Sequence, residues 1–439
     1  MARILMAFLG TTDYIPCNYV IGNRGTVKGV RFVQEALAAT FCKSWDENDK
    51  IIIYLTREAE EKNWIDDGHR DRDGKPLRRD GLERCLRNLD LRCRVQPVRD
   101  MPPGTTPDEL WDIFDKVVAS IDTGDEIIAD ITHGFRALPM LMSHVLAYAR
   151  SAKQARASGL YYGAIEALGP PKQIEAMPLE RRDVPVHDLT VFADLMDWTQ
   201  AVDSFLDSGN AARLARLARS EAGRIFKAGG ESQRAASDAQ TFVAMLRGLA
   251  DDIRSCRGSE ITKQFDFDRL TQLLHEARAG TIKPLSPLLG KIEAMLAPFV
   301  NGDINNGYAA VRWCIDHGLV QQGYTLLQET MIAGLVAARF GPGEILDRDK
   351  RELVAQALNI GCRAIPEHEW KDAARDHPDD VRAILQGLPA GFIEVFDAIS
   401  QARNDINHGG FSPAAAKPAS LESRLRDLLD RAISLARKG

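Results

Sequence analysis

The sequence predicts an α/β domain followed by an all-α domain, and three observations lead there. Through residues 2–184, short continuous apolar runs alternate with helix-like segments. A Pro-rich passage, residues 170–185, then interrupts helix and sheet patterns alike. From Leu189 onward apolar residues recur only at helical spacing. The expected domains are therefore residues 1–185 and residues 186–439.

Taken in order, "RILMAFLG" reads as a first buried strand, and "NYVIGNRGTVKGVRF" as a hairpin around a Gly/Asn/Arg turn. "VQEALAATFCKSW" is a helix, "KIIIYLT" and "CRVQPV" are strands, and "PDELWDIFDKVVASI" is a second helix. "DEIIADIT" and "GLYYGAIE" complete the strands. Their hydrophobicity is continuous rather than alternating, which implies a mostly parallel sheet covered by helices. The second half offers only helices, such as "FADLMDWTQAVDSFL", "ARLARLARSEAGRIF" and "YTLLQETMIAGLVAARF".

The 439 residues are 45% hydrophobic and 27% charged, the composition of a soluble globular chain. A net charge of −6 argues against sequence-independent coating of nucleic acid, which draws on clustered Lys and Arg. The seven cysteines are scattered without any C-x-x-C pair, so neither a zinc site nor a disulfide framework is expected. The apolar run at the start is too short for a membrane span or a secretion signal. A cytoplasmic protein without membrane contact is expected.

The richest piece of the first half is "DEIIADITHGFRALPMLMSHVLAYAR". A strand runs through Thr132, His133, Gly134, Phe135 and Arg136 into a helix with Pro139 in its first turn. This polar turn lies at the carboxyl end of a parallel strand, where open α/β sheets bind ligands. Helix amides, a glycine, a hydroxyl, an imidazole and a forked guanidinium suit an anion. The plainer reading is a turn built by Asp130 and Thr132 with His133 and Arg136 in solvent. A second turn, Gly10, Thr11, Thr12 and Asp13, follows the first strand and opens on the same edge. No G-x-G-x-x-G, P-loop or G-x-S-x-G motif is present, which removes the usual support for a dinucleotide oxidoreductase, a P-loop enzyme or a hydrolase.

In the second half "QARNDINHGG" carries Arg403 and His408. Their spacing recurs at Arg182/His187, Arg312/His317 and Arg363/His368, so spacing alone decides nothing. Phe392, Val395, Phe396, Ile399, Ala402 and Ile406 form a helical stripe, and at about 100° per residue Arg403 falls within it. A charge there is costly unless it is paired or meets an anion. His408 points roughly 140° away on an ideal helix, but Gly409 and Gly410 let the backbone re-aim it. Two readings stand: an anion-handling pair, with a symmetric dimer bringing two copies together, or a salt-bridged Arg and a capping His. Arg312/His317 is the rival pair, since "VRWCIDHG" also ends in Gly.

With these motifs in view, "FLGTTDYIPCNY", "DITHGFRALP", "YYGAIEA", "VPVHDLTVFADLMDWTQAVDSF" and "QQGYTLLQET" together resemble the CRISPR-associated proteins that join a CARF sensor domain to a HEPN ribonuclease domain. The resemblance implies a modified Rossmann domain that binds cyclic oligoadenylate across a homodimer axis, in a homodimer or a higher even-numbered oligomer. It also implies a helical domain that cuts single-stranded RNA once that messenger is bound. Cyclic tetra-adenylate is the expected activator, no metal or other cofactor is expected, and the products carry a 2′,3′-cyclic phosphate and a 5′-hydroxyl. By the same resemblance Gly10, Thr11, Thr12, Asp13, Thr132, His133, Gly134 and Arg136 line the messenger pocket. "RNDINH" matches the R-x(4–6)-H signature, so Arg403, Asn404 and His408 inherit the active-site role. The competing reading is a sensor whose helical half only dimerises or recruits a partner. A further possibility is slow cleavage of the messenger by Thr11, Thr12, Thr132 and His133.

Overall fold

A computed structural model of the chain describes residues 2–71, 73–133, 137–225, 231–280, 286–411, 413 and 415–438. The chain forms two compact units, Met1–Met196 and Asp197–Gly439. The division falls inside the helix Thr190–Ser208 rather than at residue 185.

Unit 1 is built on an eight-stranded sheet. The strands are β1 (Arg3–Phe8), β2 (Cys17–Val20), β3 (Thr26–Val30), β4 (Lys50–Tyr54), β5 (Arg94–Val98), β6 (Glu126–Asp130), β7 (Arg156–Gly163) and β8 (Asp183–Asp188). Their order is β3-β2-β8-β7-β6-β1-β4-β5. β7, β6, β1, β4 and β5 run parallel, β2 and β3 form the expected antiparallel hairpin, and β8 is antiparallel to β7 but parallel to β2. Side chains alternate across the sheet. Leu5, Ala7, Ile51 and Ile53 pack with Val33, Ala36 and Leu37 of α1 (Val33–Phe41). Ile4, Met6 and Ile52 pack on the other face with Ile113 and Val117 of α2 (Pro107–Ala119) and Met142, Val145 and Ala149 of α3 (Ala137–Lys153). α2 starts where the sequence says it should: Thr106 caps the Glu109 amide at 3.3 Å, and Pro107 occupies the first turn.

The Pro-rich passage is not a linker. It contains a short helix, Pro171–Ala176, and the first half of β8, whose Pro185 sits within the sheet. Residues 183–185 pair with β2 and residues 186–188 with β7. The missing N–H of Pro185 thus falls where the strand changes partner, one of the few places a sheet tolerates it.

Unit 2 is all helical among the described residues: α4 (Thr190–Ser208, shared with unit 1 by chain), α5 (Ala212–Ile225), α6 (Glu231–Arg254), α7 (Phe267–Gly280), α8 (Ser286–Leu296), α9 (Asn306–Asp316), α10 (Val320–Phe340), α11 (Arg348–Arg363), α12 (Pro378–Gly387), α13 (Phe392–Asn407) and α14 (Pro418–Ala436). α10 is central, with Tyr324, Leu326, Leu327, Met331 and Val336 buried, and it packs against α9, α11, α13 and α14. Among the described residues no single helix is long and apolar enough to cross a membrane.

Candidate functional site

β1 and β6 are neighbours, and, apart from the β2–β3 hairpin at the far edge of the sheet, the chain runs from β1 to β4 and β5 on one side before returning to β6 on the other. Their carboxyl ends therefore flank the topological switch point of the sheet. A cavity of about 520 Å³ opens there. Gly10, Thr11 and Thr12 line it from the turn after β1, and Thr132 and His133 from the turn after β6. Tyr54 at the end of β4, Thr56, Arg57 and Glu58 just beyond it, and Met101 and Pro103, which follow β5, add to the wall, with Phe8, Leu9 and Leu138. Gly134 and Arg136 lie outside the described residues.

The turn after β6 is fixed from below. Asp130 is buried, and its Oδ1 accepts the Thr132 amide at 2.9 Å and the Thr132 hydroxyl at 2.5 Å. The same hydroxyl accepts the Gly163 amide at 2.8 Å, so Thr132 is committed to the scaffold rather than free for chemistry on a ligand. Burial pushes the Asp130 carboxyl up to about 6, against the hydrogen bonds from Thr132. His133 lines the cavity with its Nε2 buried and without a partner among the described residues. Burial pushes its imidazole down to about 4, so the ring is neutral at neutral pH. Its ring meets the Tyr14 ring edge-on at 4.6 Å, and the Tyr14 hydroxyl in turn accepts the Gly10 amide at 2.8 Å. A Cβ on residue 10 would lie 2.7 Å from that hydroxyl, which accounts for glycine there.

Asp13, expected in the pocket, is absent from its wall. Its carboxylate is held by Arg79 and, at 3.5 Å, by Arg31. The sequence reading missed Asn63, whose Nδ2 donates to the carbonyls of Gly10 and Thr12. It also missed the residues that follow β4 and β5. These could have been found by extending the carboxyl-edge rule to "KIIIYLTRE", whereas no local pattern marks Asn63.

In unit 2, α13 buries Phe392, Val395, Phe396, Ile399 and Ala402, as its periodicity requires. Arg403 is half-buried beside this stripe. Its Nη1 donates to Gln328 Oε1 of α10 at 3.2 Å, and Gln328 Nε2 donates to Ser400 Oγ, also at 3.2 Å. The Arg403 Nε is buried without a hydrogen-bond partner among the described residues. Among the described residues no carboxylate pairs with Arg403, so the salt-bridged alternative is not what the fold builds. Asn404 and His408 are exposed, and His408 is the C-cap of α13. Gly409 and Gly410 follow in left-handed conformations (φ 66° and 69°). The Gly410 amide donates to the Asp405 carbonyl and the Ala416 amide to Asp405 Oδ2, each at 3.0 Å. Within one chain no hydrogen bond joins Arg403 to His408 among the described residues.

The rival pair is differently employed. Arg312 is bridged to Asp430 at 3.1 Å, while His317 Nδ1 lies 2.8 Å from the Trp313 carbonyl and its ring packs on Trp313. Arg182 donates to the carbonyls of Met177, Pro16 and Glu175.

Comparison with known proteins supplies a context. No family model matches the chain. Over 121 residues it is 30% identical to a protein from Methanocaldococcus jannaschii, a match covering 27% of this chain and 18% of that protein. That relative is a CRISPR-associated protein. The chain thus shares a segment with a CRISPR-associated protein and spans less than a fifth of its length. Among the described residues no group of three or more His, Cys, Asp or Glu side chains is placed to hold a metal ion.

Proposed function

We propose that this chain is a cyclic-oligoadenylate-activated endoribonuclease of type III CRISPR defence, cutting single-stranded RNA in the cytoplasm without a metal ion. The observation that carries the reading is Arg403: a half-buried guanidinium with a neutral hydrogen-bond partner and, among the described residues, one unpartnered buried nitrogen and no counter-charge. Such a cation is best compensated by an anion from outside the chain, and its planar fork suits phosphate. RNA brings its own nucleophile, the 2′-hydroxyl. Arg403 is assigned to the phosphate and its developing charge, His408 to proton transfer, and Asn404 to a supporting hydrogen bond. Cleavage then leaves a 2′,3′-cyclic phosphate and a 5′-hydroxyl.

The sensor assignment draws on the cavity at the β1–β6 edge, with Gly10, Thr11, Thr12 and His133 in its wall. A space of about 520 Å³ suits one small ligand. A ring of four nucleotides calls for two such cavities, hence two chains. The helix that follows the His133 turn, α3, exposes Met140 (67%) and Tyr148 (50%), and α2 exposes Trp111 (66%). Phe114 joins Trp111 to Tyr148 through two edge-on ring contacts. An aromatic surface of this kind fits burial against a second copy.

One observation favours a second reading, a sensor whose helical half lacks nuclease activity: His408 is exposed and unconnected to Arg403 within a single chain. A single assay separates the two. Fluorescent single-stranded RNA is incubated with the protein in EDTA, with cyclic tri-, tetra- or hexa-adenylate added in turn. Cleavage is expected with one ring, tetra-adenylate foremost; ring binding without cleavage would leave the sensor alone.

A further inference from the structure

The shape of the 10–13 turn is set by a residue some fifty positions away. Asn63 is 1% exposed and sits in a five-residue π-helical turn, Glu60–Trp64. Turns of this type are rare and gather at functional sites. Its Nδ2 donates to the Gly10 carbonyl at 3.0 Å and to the Thr12 carbonyl at 2.9 Å, and its Oδ1 lies 2.9 Å from His69 Nε2. Only a primary amide can offer two protons and one acceptor in this way. A carboxylate would face both carbonyls with oxygen.

The consequence follows from peptide geometry. In a trans peptide the N–H points opposite to the C=O of the same unit. With the Gly10 and Thr12 carbonyls turned onto Asn63, the amides of Thr11 and Asp13 point the other way. Neither amide has an acceptor among the described residues, while Gly10, Thr11 and Thr12 line the cavity. Two unpartnered amides on one turn make an anion cradle. The scaffold behind them is tight: a Cβ on Gly68 or on Gly81 would come within 2.2 Å of a backbone oxygen of the π-turn, that of Glu61 or of Trp64. Asp13 is tied to Arg79, beyond the same segment.

We propose that Asn63 is the positioning residue of this pocket. It holds the 10–13 turn with the Thr11 and Asp13 amides presented to a phosphodiester group of the ligand, and His69 fixes which way its own amide faces. The assignment rests on reading the cavity as the messenger site.

The test measures the concentration of cyclic tetra-adenylate that half-activates RNA cleavage, and the maximal rate, for the full chain and for Asn63→Asp, His69→Ala and His69→Gln. Asn63→Asp is expected to raise the half-activating concentration about tenfold or more, the effect of losing anion hydrogen bonds, with the maximal rate kept. His69→Ala is expected to shift it in the same direction, and His69→Gln, which retains a donor, to restore it. Amide exchange adds a direct readout: ligand protects Thr11 and Asp13 in the wild type but not in Asn63→Asp. If Asn63→Asp does not fold, the His69 pair decides. Half-activating concentrations within twofold of wild type in the variants that fold would overturn the proposal. A wild-type chain that binds no ring would instead remove the messenger reading on which it rests.

Discussion

Replacing Asp130 by Asn should stabilise unit 1 at neutral pH, with the gain fading in acid. Asp130 is 1% exposed, and burial holds its carboxyl at about 6 against an ordinary 3.8. A shift of about two units is worth about 3 kcal/mol at 1.36 kcal/mol per unit. The sign is unfavourable to the fold. Above about pH 6 both states are ionised and the full cost is present; below about pH 4 both are protonated and it is gone. Between these limits the folded state binds more protons, so the wild type gains stability as pH falls. Asn keeps the oxygen that receives the Thr132 amide and hydroxyl. It also places an NH₂ at the position of Asp130 Oδ2, next to the Gln34 side chain, whose Oε1 is buried and unpartnered among the described residues. His133 has the opposite dependence: its lowered imidazole removes stability as pH falls below about 6.5, toward 4. Since it is present in both proteins, it cancels in their difference. Denaturant titrations read through amide exchange in β1 and β6 are expected to show Asp130→Asn more stable by about 1–3 kcal/mol near pH 8 and by at most about 0.5 kcal/mol near pH 4. Equal stability near pH 8, or a gain undiminished near pH 4, would refute the account of this carboxyl.

Other expectations concern the nuclease site and the assembly. Arg403→Ala and His408→Ala should each lower activated RNA cleavage by about a hundredfold or more, and Arg312→Ala should leave the initial rate unchanged. Loss with Arg312→Ala and retention with Arg403→Ala would move the site to α9. Trp111→Asp combined with Tyr148→Asp should turn a dimer into a monomer in sedimentation and abolish ring-activated cleavage; an intact dimer would remove that face from the interface.

The fold was legible where one physical signal dominates. Runs such as "KIIIYLT" have one stable use, a strand buried on both faces, and β4 is that strand. β8 was hidden because "DVPVHD" is short, half polar and contains Pro185, whose cost disappears only through the change of partner between β2 and β7. At the sites, periodicity alone put Arg403 on the apolar stripe of α13, and the fold keeps it half-buried there. The identity of its partner, neutral Gln328, depends on a contact 75 residues away and lay beyond sequence reasoning. The same limit explains Asp13, whose carboxylate is held by Arg79, 66 residues distant. It explains Asn63 as well, an isolated Asn in a charged segment that acquires meaning only when the 10–13 turn folds onto it. Thr132 shows a further limit. Its position at a strand end was readable, but its commitment to Asp130 and Gly163 was not.

The central claim is that occupancy of the cavity on unit 1 switches on RNA cleavage dependent on Arg403 in unit 2. Its most direct measurement is the single-turnover cleavage rate of a fluorescent single-stranded RNA in EDTA, with and without saturating cyclic tetra-adenylate, for the wild type and Arg403→Ala. The account predicts a rate at least about a hundredfold higher with the ring for the wild type, and a variant that binds the ring equally well but stays at the unactivated rate. A wild-type rate unaffected by the ring, or an Arg403→Ala rate equal to that of the activated wild type, would contradict it.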